Sequence, residues 1–309
     1  AHTPPARKTA PARTPPAPRR APARPAPEEV KDPEATLTTE EPESVVPATE
    51  PPAQASEVVQ PRRPAAGPST SDYRPLVVTS GSRAMVEAIG VTRVYGGGAA
   101  EVRALDDVDL TLYEGEMAAV MGPSGSGKTT LLNCLSGLDQ VTSGEVLVEG
   151  KSLAKMSDAR RTDYRSKRMG FVFQAFNLLP VFSAVENVEL PLLLAGRRAS
   201  QSRRRAMEAL DLVGLTARAR HRPAELSSGE QQRVAIARAI APEPAVLWAD
   251  EPTGNLDSDN AANVIQILKR LNTDQNLTIL MVTHDASIAR WAERILRMKD
   301  GRMAGPGLS

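Results

Sequence analysis

The chain has 309 residues with 38 basic and 37 acidic side chains, and its formal net charge of +1 averages over a very uneven distribution, since 18 of its 26 prolines fall in residues 1–75. The single cysteine, Cys134, excludes an intramolecular disulfide and a cysteine-based metal site. No stretch approaches the roughly 18 consecutive apolar residues that a spanning helix needs, and prolines and arginines interrupt any signal-peptide core, so a soluble, cytoplasmic chain is expected.

Residues 1–80 combine a basic Ala/Pro/Arg-rich start (Arg7, Lys8, Arg13, Arg19, Arg20, Arg24) with an acidic block from Glu28 to Glu57. So few large apolar side chains cannot offset the entropy of ordering the backbone, and a disordered tail is expected. A docking arm for anionic lipid or a protein is the alternative that the basic start leaves open.

Order is expected from about Arg83. Strands are predicted over 85–95 and 101–112 around a turn at Gly96, Gly97 and Gly98, then over 116–121, with a helix over 128–137 burying Leu131, Leu132 and Leu135. Strands over 145–149 and 169–173 follow. Ser183 and Glu186 form a capping-box pattern, and Gly214 stops a helix over 202–213. The last third alternates strands (245–249, 277–282, 294–298) with helices, one capped by Asp257 or Ser258 and carrying an apolar stripe of Val264, Ile265, Leu268 and Leu271. Strand–helix alternation implies an α/β fold with a parallel sheet covered on both faces.

Three motifs carry chemistry. Gly122, Pro123, Ser124, Gly125, Ser126, Gly127, Lys128 and Thr129 match G-x-x-x-x-G-K-[ST], with Thr130 the next helix residue. Such a loop can turn consecutive N–H groups inward onto phosphate, the following helix adds its positive end, Lys128 reaches the β- and γ-phosphates, and the Thr129 hydroxyl can ligate Mg2+. The apolar strand before Asp250 and Glu251 delivers two acids to a strand end. Asp250 is the expected Mg2+ holder, and Glu251 can take a proton from an attacking water. The third motif runs Leu226, Ser227, Ser228, Gly229, Glu230, Gln231, Gln232, Arg233, and continues through Arg238.

This third run resembles the signature of ATP-binding cassette (ABC) proteins. Gln174 fits that family's glutamine loop, Asp257 the segment after the second acidic motif, His284 the late histidine, and Tyr95 the aromatic residue that stacks on adenine. These features stand in family order across residues 85–301. The resemblance implies a P-loop NTPase with a RecA-like core, an antiparallel β subdomain and a helical subdomain at about 176–240, all within 83–309. It implies an ATPase using Mg2+ at Thr129, Gln174 and Asp250, with Glu251, His284, Lys128 and Gln174 as catalytic residues. Two subunits would meet head to tail, so that Ser227 and Gly229 touch the partner's ATP. It further implies a separate integral membrane permease subunit, a peripheral location on the inner face of the cell membrane, and no nucleic acid. Intact Lys128, Asp250, Glu251 and His284 argue against a cassette that has lost catalysis, and no coiled coil or second cassette points to DNA repair or translation.

Two departures from the family pattern stand out. Ser228 occupies a position where the family usually has glycine; if that position needed positive φ, the serine would cost about 1 kcal/mol. Trp248 replaces a small aliphatic residue and is read as core packing. The segment around Gln174, Leu178, Leu179 and Pro180, together with Val185, Asn187 and Pro191, resembles the branch containing macrolide exporters, lipoprotein-releasing ATPases and a cell-division ATPase. The chain's finish soon after Asp300 and Gly301, without a C-terminal regulatory domain, fits that branch.

Overall fold

The computed structural model describes residues 83–97 and 101–304. The expected disordered tail at 1–80 and Gly98 of the expected glycine turn lie outside the described residues.

The two opening strands, β1 (Ala84–Tyr95) and β2 (Val102–Tyr113), pair antiparallel, and β1 buries Val86 and Ala88 and, past a register shift, Val91. β4 (Ser143–Val148) adds to the other edge of β1, and the short β5 (Lys151–Ser152) pairs with β4, giving the order β2-β1-β4-β5. Glu149 and Gly150, both at positive φ, make the two-residue turn between β4 and β5, as a tight hairpin requires.

The second sheet has the order β10-β9-β3-β8-β7-β6. Its members are β3 (Met117–Met121), β6 (Met169–Phe173), β7 (Val246–Asp250), β8 (Thr278–Val282), β9 (Arg294–Lys299) and β10 (Arg302–Met303). All neighbouring pairs are parallel except the β9–β10 edge hairpin. The central strands are apolar throughout because both faces are covered. Ala118, Val120, Trp248, Leu280 and Val282 point to one side, joining the first sheet and helix α1 (Lys128–Leu135). Met117, Ala119, Leu247, Ala249, Ile279 and Met281 point to the other, where helices cover them. Trp248 is fully buried in the first of these layers, the core role expected of it, with its indole N–H unpaired.

The remaining helices are α2 (Asp158–Arg168), α3 (Ala184–Leu194), α4 (Ala199–Leu212), α5 (Ser228–Ile240), α6 (Ser258–Gln275) and the short α7 (Ala286–Ala289). α3, α4 and α5 pack on one another, and α5 also contacts β6 and α6. The Ser183/Glu186 capping box opens α3, and Gly214 follows α4 at φ +70°. Asp257 caps α6, accepting from the Asn260 amide at 2.9 Å.

α2 has no counterpart in the expectations above. It buries none of its residues, so it carries no apolar period to read. Polar anchors hold it instead: the Tyr164 hydroxyl donates to Glu149 at 2.6 Å, Arg168 forks onto the same carboxylate, and Arg165 donates to the Gly137 carbonyl at 2.6 Å.

Candidate active site

The carboxyl ends of four neighbouring parallel strands converge, the usual place for a ligand in an open α/β sheet. β3 leads into the loop from Gly122 to Gly127, β8 into Thr283 and His284, β7 ends on Asp250 before Glu251, and β6 is followed by Gln174.

Close approach dictates two of the loop's three glycines, and Gly125 sits at φ +79°. A Cβ on Gly122 would lie 2.1 Å from the Met298 carbonyl oxygen, and one on Gly127, at φ +97°, would lie 2.3 Å from the Ala104 carbonyl oxygen. Gly127 is also the N-cap of α1, so the first helical amides face the loop's concavity. Lys128 is buried and its Nζ donates to the Gly122 and Pro123 carbonyls at 2.9 and 2.8 Å. The loop thus wraps around the ammonium that a phosphate chain would meet. The Ser126 hydroxyl is buried without a hydrogen-bond partner.

Thr129, in the first turn of α1, donates from Oγ1 to Asp250 Oδ1 at 3.2 Å. Burial pushes the Asp250 carboxyl above its ordinary value; the Thr129 hydroxyl and Lys128 oppose the shift, and neighbouring Glu251 adds to it. A carboxylate in that setting needs positive charge beside it. Thr129 and Asp250 present hard oxygen donors, and among the described residues no group of three or more His, Cys, Asp or Glu side chains forms a metal cage. That donor set fits Mg2+, which is commonly bound by one or two carboxylates together with phosphates and waters.

Glu251 sits at φ +48°, its amide donating to the Val282 carbonyl at 2.9 Å. Glu251 Oε1 lies 2.8 Å from His284 Nδ1. The Gln174 side chain turns to Asn255 rather than to Thr129 or Asp250: its Nε2 donates to Asn255 Oδ1 at 3.3 Å while Asn255 Nδ2 donates back to the Gln174 carbonyl at 2.9 Å. Tyr95, ending β1, donates from its hydroxyl to Asp139 Oδ2 at 2.6 Å.

The signature stands at the start of α5. Ser227 is the N-cap: its Oγ accepts from the Glu230 amide at 3.2 Å, and Glu230 accepts from the Ser227 amide at 2.9 Å. Ser228 begins the helix and is absent from the residues with positive φ, so the backbone strain considered for it does not arise. Gly229 is buried against α6, where a Cβ would lie 2.2 Å from Asn260 Oδ1.

Two residues of the signature run make contacts that the motif alone does not specify. Gln232, fully buried, donates from Nε2 to the Pro252 carbonyl at 2.5 Å and the Phe173 carbonyl at 3.4 Å. Arg238 donates to the Asn177 and Phe176 carbonyls at 2.5 and 2.9 Å. The signature helix therefore grips both flanks of Gln174 and the residue after Glu251.

A glycine loop wrapped around Lys128, two acids at the end of β7, a histidine on the second of them and a capped signature helix are the features of a P-loop nucleotide hydrolase of the cassette type. The sequence model described as ABC transporter matches residues 105–254. An uncharacterized ABC transporter ATP-binding protein of Methanocaldococcus jannaschii is 48% identical over 219 residues, which is 71% of this chain and 97% of that protein. The lipoprotein-releasing system ATP-binding protein LolD of Chromohalobacter salexigens is 44% identical over 220 residues, 71% of this chain and 93% of LolD. A solved dimer of the ATP-binding cassette MJ0796 in a post-hydrolysis state, bound to ADP and Pi, aligns with TM-score 0.67 at 44% identity, covering 72% of this chain and 97% of that one. The chain belongs to the ABC transporter ATP-binding proteins and is an ATPase.

Proposed function

We propose that the protein hydrolyses ATP within a head-to-tail dimer of cassettes and transmits the cycle to a separate membrane subunit in export or mechanical work across the bilayer. The observation that carries the dimer is the sheet's two-sidedness. α1, which starts from the phosphate loop, packs in one layer, and α5, which starts from the signature, packs in the other. Ser227 and Gly229 thus meet a phosphate loop most directly on a second subunit, where the α5 amides and dipole close on the γ-phosphate. The dimeric cassette bound to ADP and Pi supports this arrangement.

In this reading the loop from Gly122 to Thr130 binds the phosphates and Tyr95 carries the adenine. Lys128 exchanges its two carbonyl acceptors for phosphate oxygens. Glu251 accepts the proton of the attacking water, and His284, already on Glu251, contacts the γ-phosphate and holds the geometry. Thr129, Asp250 and Gln174 would hold Mg2+, which neutralises charge developing on the phosphates. The work is mostly positioning and electrostatics, as a loose phosphoryl-transfer transition state requires.

Residues 83–309 form the cassette, with 176–240 as its helical part. Among the described residues no helix is long and apolar enough to cross a membrane. In this reading the membrane component is another polypeptide, and this chain sits peripherally on the cytoplasmic face. Exposed Leu179 and Val181, beside the Gln174 loop gripped by Arg238, suit contact with such a subunit. The likeness to LolD supports the export branch. The test separates binding from turnover: Glu251→Gln keeps ATP affinity and loses about 10²–10⁴-fold in turnover, whereas Lys128→Ala loses affinity. Near wild-type turnover in Glu251→Gln overturns the assignment of the base.

A further inference from the structure

Tyr95 is held by two side chains that no nucleotide motif includes. The Arg93 guanidinium carbon lies 4.4 Å from the centroid of the Tyr95 ring, on one of its faces. Asp139 ties both residues together. Its Oδ2 accepts from the Tyr95 hydroxyl at 2.6 Å and from Arg93 Nε at 3.1 Å, and its Oδ1 pairs with Arg93 Nη2 at 2.8 Å. The Gln140 amide supplies a fourth bond at 2.7 Å. Burial works against ionisation of Asp139, but the Tyr95 hydroxyl, the Gln140 amide and the Arg93 charge outweigh it and hold the carboxyl below its ordinary value.

Three consequences follow from this geometry. With Arg93 on one face, a flat aromatic ligand has the other face of the ring. A phenol donating to a carboxylate is electron-rich, which strengthens its attraction for the cation behind it and for the positive edge or polarised face of a base in front. Asp139 also bonds through its amide to the Asn133 carbonyl at 3.0 Å, at the end of α1. The ring is therefore fastened to the helix that begins at the phosphate loop, so the base platform and the phosphate cradle keep a constant separation.

We propose that Arg93 and Asp139 are positioning residues that preset Tyr95 as a one-faced nucleobase platform at a fixed reach from the phosphate loop. The inference rests on the reading that Tyr95 stacks on the base. Presetting spares the ordering of an exposed aromatic side chain on binding, so its effect belongs to ligands that carry a base and is absent for those that have phosphates alone.

The experiment measures KM for ATP, kcat, and the Ki of inorganic tripolyphosphate, with Mg2+ and the full chain, for Tyr95→Ala, Tyr95→Phe, Arg93→Ala, Arg93→Lys and Asp139→Asn. Arg93→Ala and Asp139→Asn are expected to raise KM for ATP about threefold to tenfold, leaving kcat and the tripolyphosphate Ki within about twofold, while Arg93→Lys recovers much of the loss. Tyr95→Phe, which removes only the tether to Asp139, should fall between wild type and Asp139→Asn. If Tyr95→Ala leaves KM unchanged, the base-stacking reading itself fails. If Tyr95→Ala raises KM but Arg93→Ala and Asp139→Asn do not, or if Arg93→Ala tightens ATP by uncovering the face the base uses, the platform inference is overturned. An equal loss of tripolyphosphate affinity in Arg93→Ala also overturns it, because a general disturbance of the fold would act on both ligands.

Discussion

Gly229 of the signature helix is pressed onto Asn260 of α6 so closely that a Cβ on the glycine would lie 2.2 Å from Asn260 Oδ1 and 2.6 Å from its Cγ. Asn260 has little freedom to withdraw, since its Nδ2 donates to Asp257 Oδ2 at 2.7 Å. The glycine thus has a reason inside its own subunit, besides any approach to a partner's ATP. Gly229→Ala should destabilise the nucleotide-free subunit by about 1–3 kcal/mol, and Asn260→Ala added to it should recover most of that loss. Chemical unfolding of the two single variants and the double variant measures the coupling; an unchanged stability in Gly229→Ala would confine its role to the dimer.

Ser228, one residue earlier, has the opposite character. It is the first residue of α5 and carries no positive φ, so glycine there relieves nothing. Ser228→Gly should leave ATP affinity of the isolated subunit unchanged and alter maximal turnover by less than about tenfold, or about 1.4 kcal/mol of barrier. Titration of ATP onto the subunit and turnover of the assembled complex check this, and damage equal to that of a bulky Gly229 substitution would show that the Ser228 hydroxyl makes a needed contact.

These neighbours show what could and could not be read from the chain. β6 was expected at residues 169–173 and spans Met169–Phe173, because a short apolar run bounded by polar residues leaves little choice. The capping box at Ser183 is equally local. α2 was not legible, since a helix held by Tyr164, Arg165 and Arg168 rather than by an apolar face has no period to detect. The same holds at the site. The phosphate loop, Asp250 and Glu251 follow from motif chemistry and His284 from the family resemblance, whereas Asn255 meets Gln174, Gln232 meets Phe173, Asp139 meets Arg93 and Tyr95, and Asn260 meets Gly229 across 31 to 81 residues of chain. No local pattern encodes such contacts.

The anchor of α2 has a pH signature. The Arg168 guanidinium, against the cost of burial and with help from the Tyr164 hydroxyl, holds the Glu149 carboxyl down at about 2. A depressed carboxyl contributes stability that is fully present above its unfolded value, about 4.3, and is lost as pH falls through 2. Glu149→Gln should therefore cost about 1–2 kcal/mol at pH 7 and flatten the fall in stability between about pH 4.5 and 2. Denaturant titrations at several pH values test it; parallel acid limbs for the two proteins would show that Glu149 is not the group responsible.

Lys128 is held by the Gly122 and Pro123 carbonyls before any phosphate arrives. Lys128→Ala should therefore weaken ATP binding by at least about tenfold, a charge-assisted contact being worth roughly 1.5–3 kcal/mol, while leaving the loop's fold intact because Gly122 and Gly127 set it through Met298 and Ala104. Calorimetric ATP titration, with the thermal midpoint of the ligand-free protein as control, separates the two effects.

The central claim is that ATP is hydrolysed between two cassettes, with Glu251 as the base. The measurement that bears on it most directly is the solution mass of Glu251→Gln with saturating ATP and Mg2+, compared with ADP and with a Glu251→Gln/Ser227→Arg variant. The account predicts a dimer with ATP only, and an ATP-bound monomer once the arginine blocks the signature. An ATP-saturated Glu251→Gln protein that stays monomeric, or a dimer indifferent to Ser227→Arg, would contradict it.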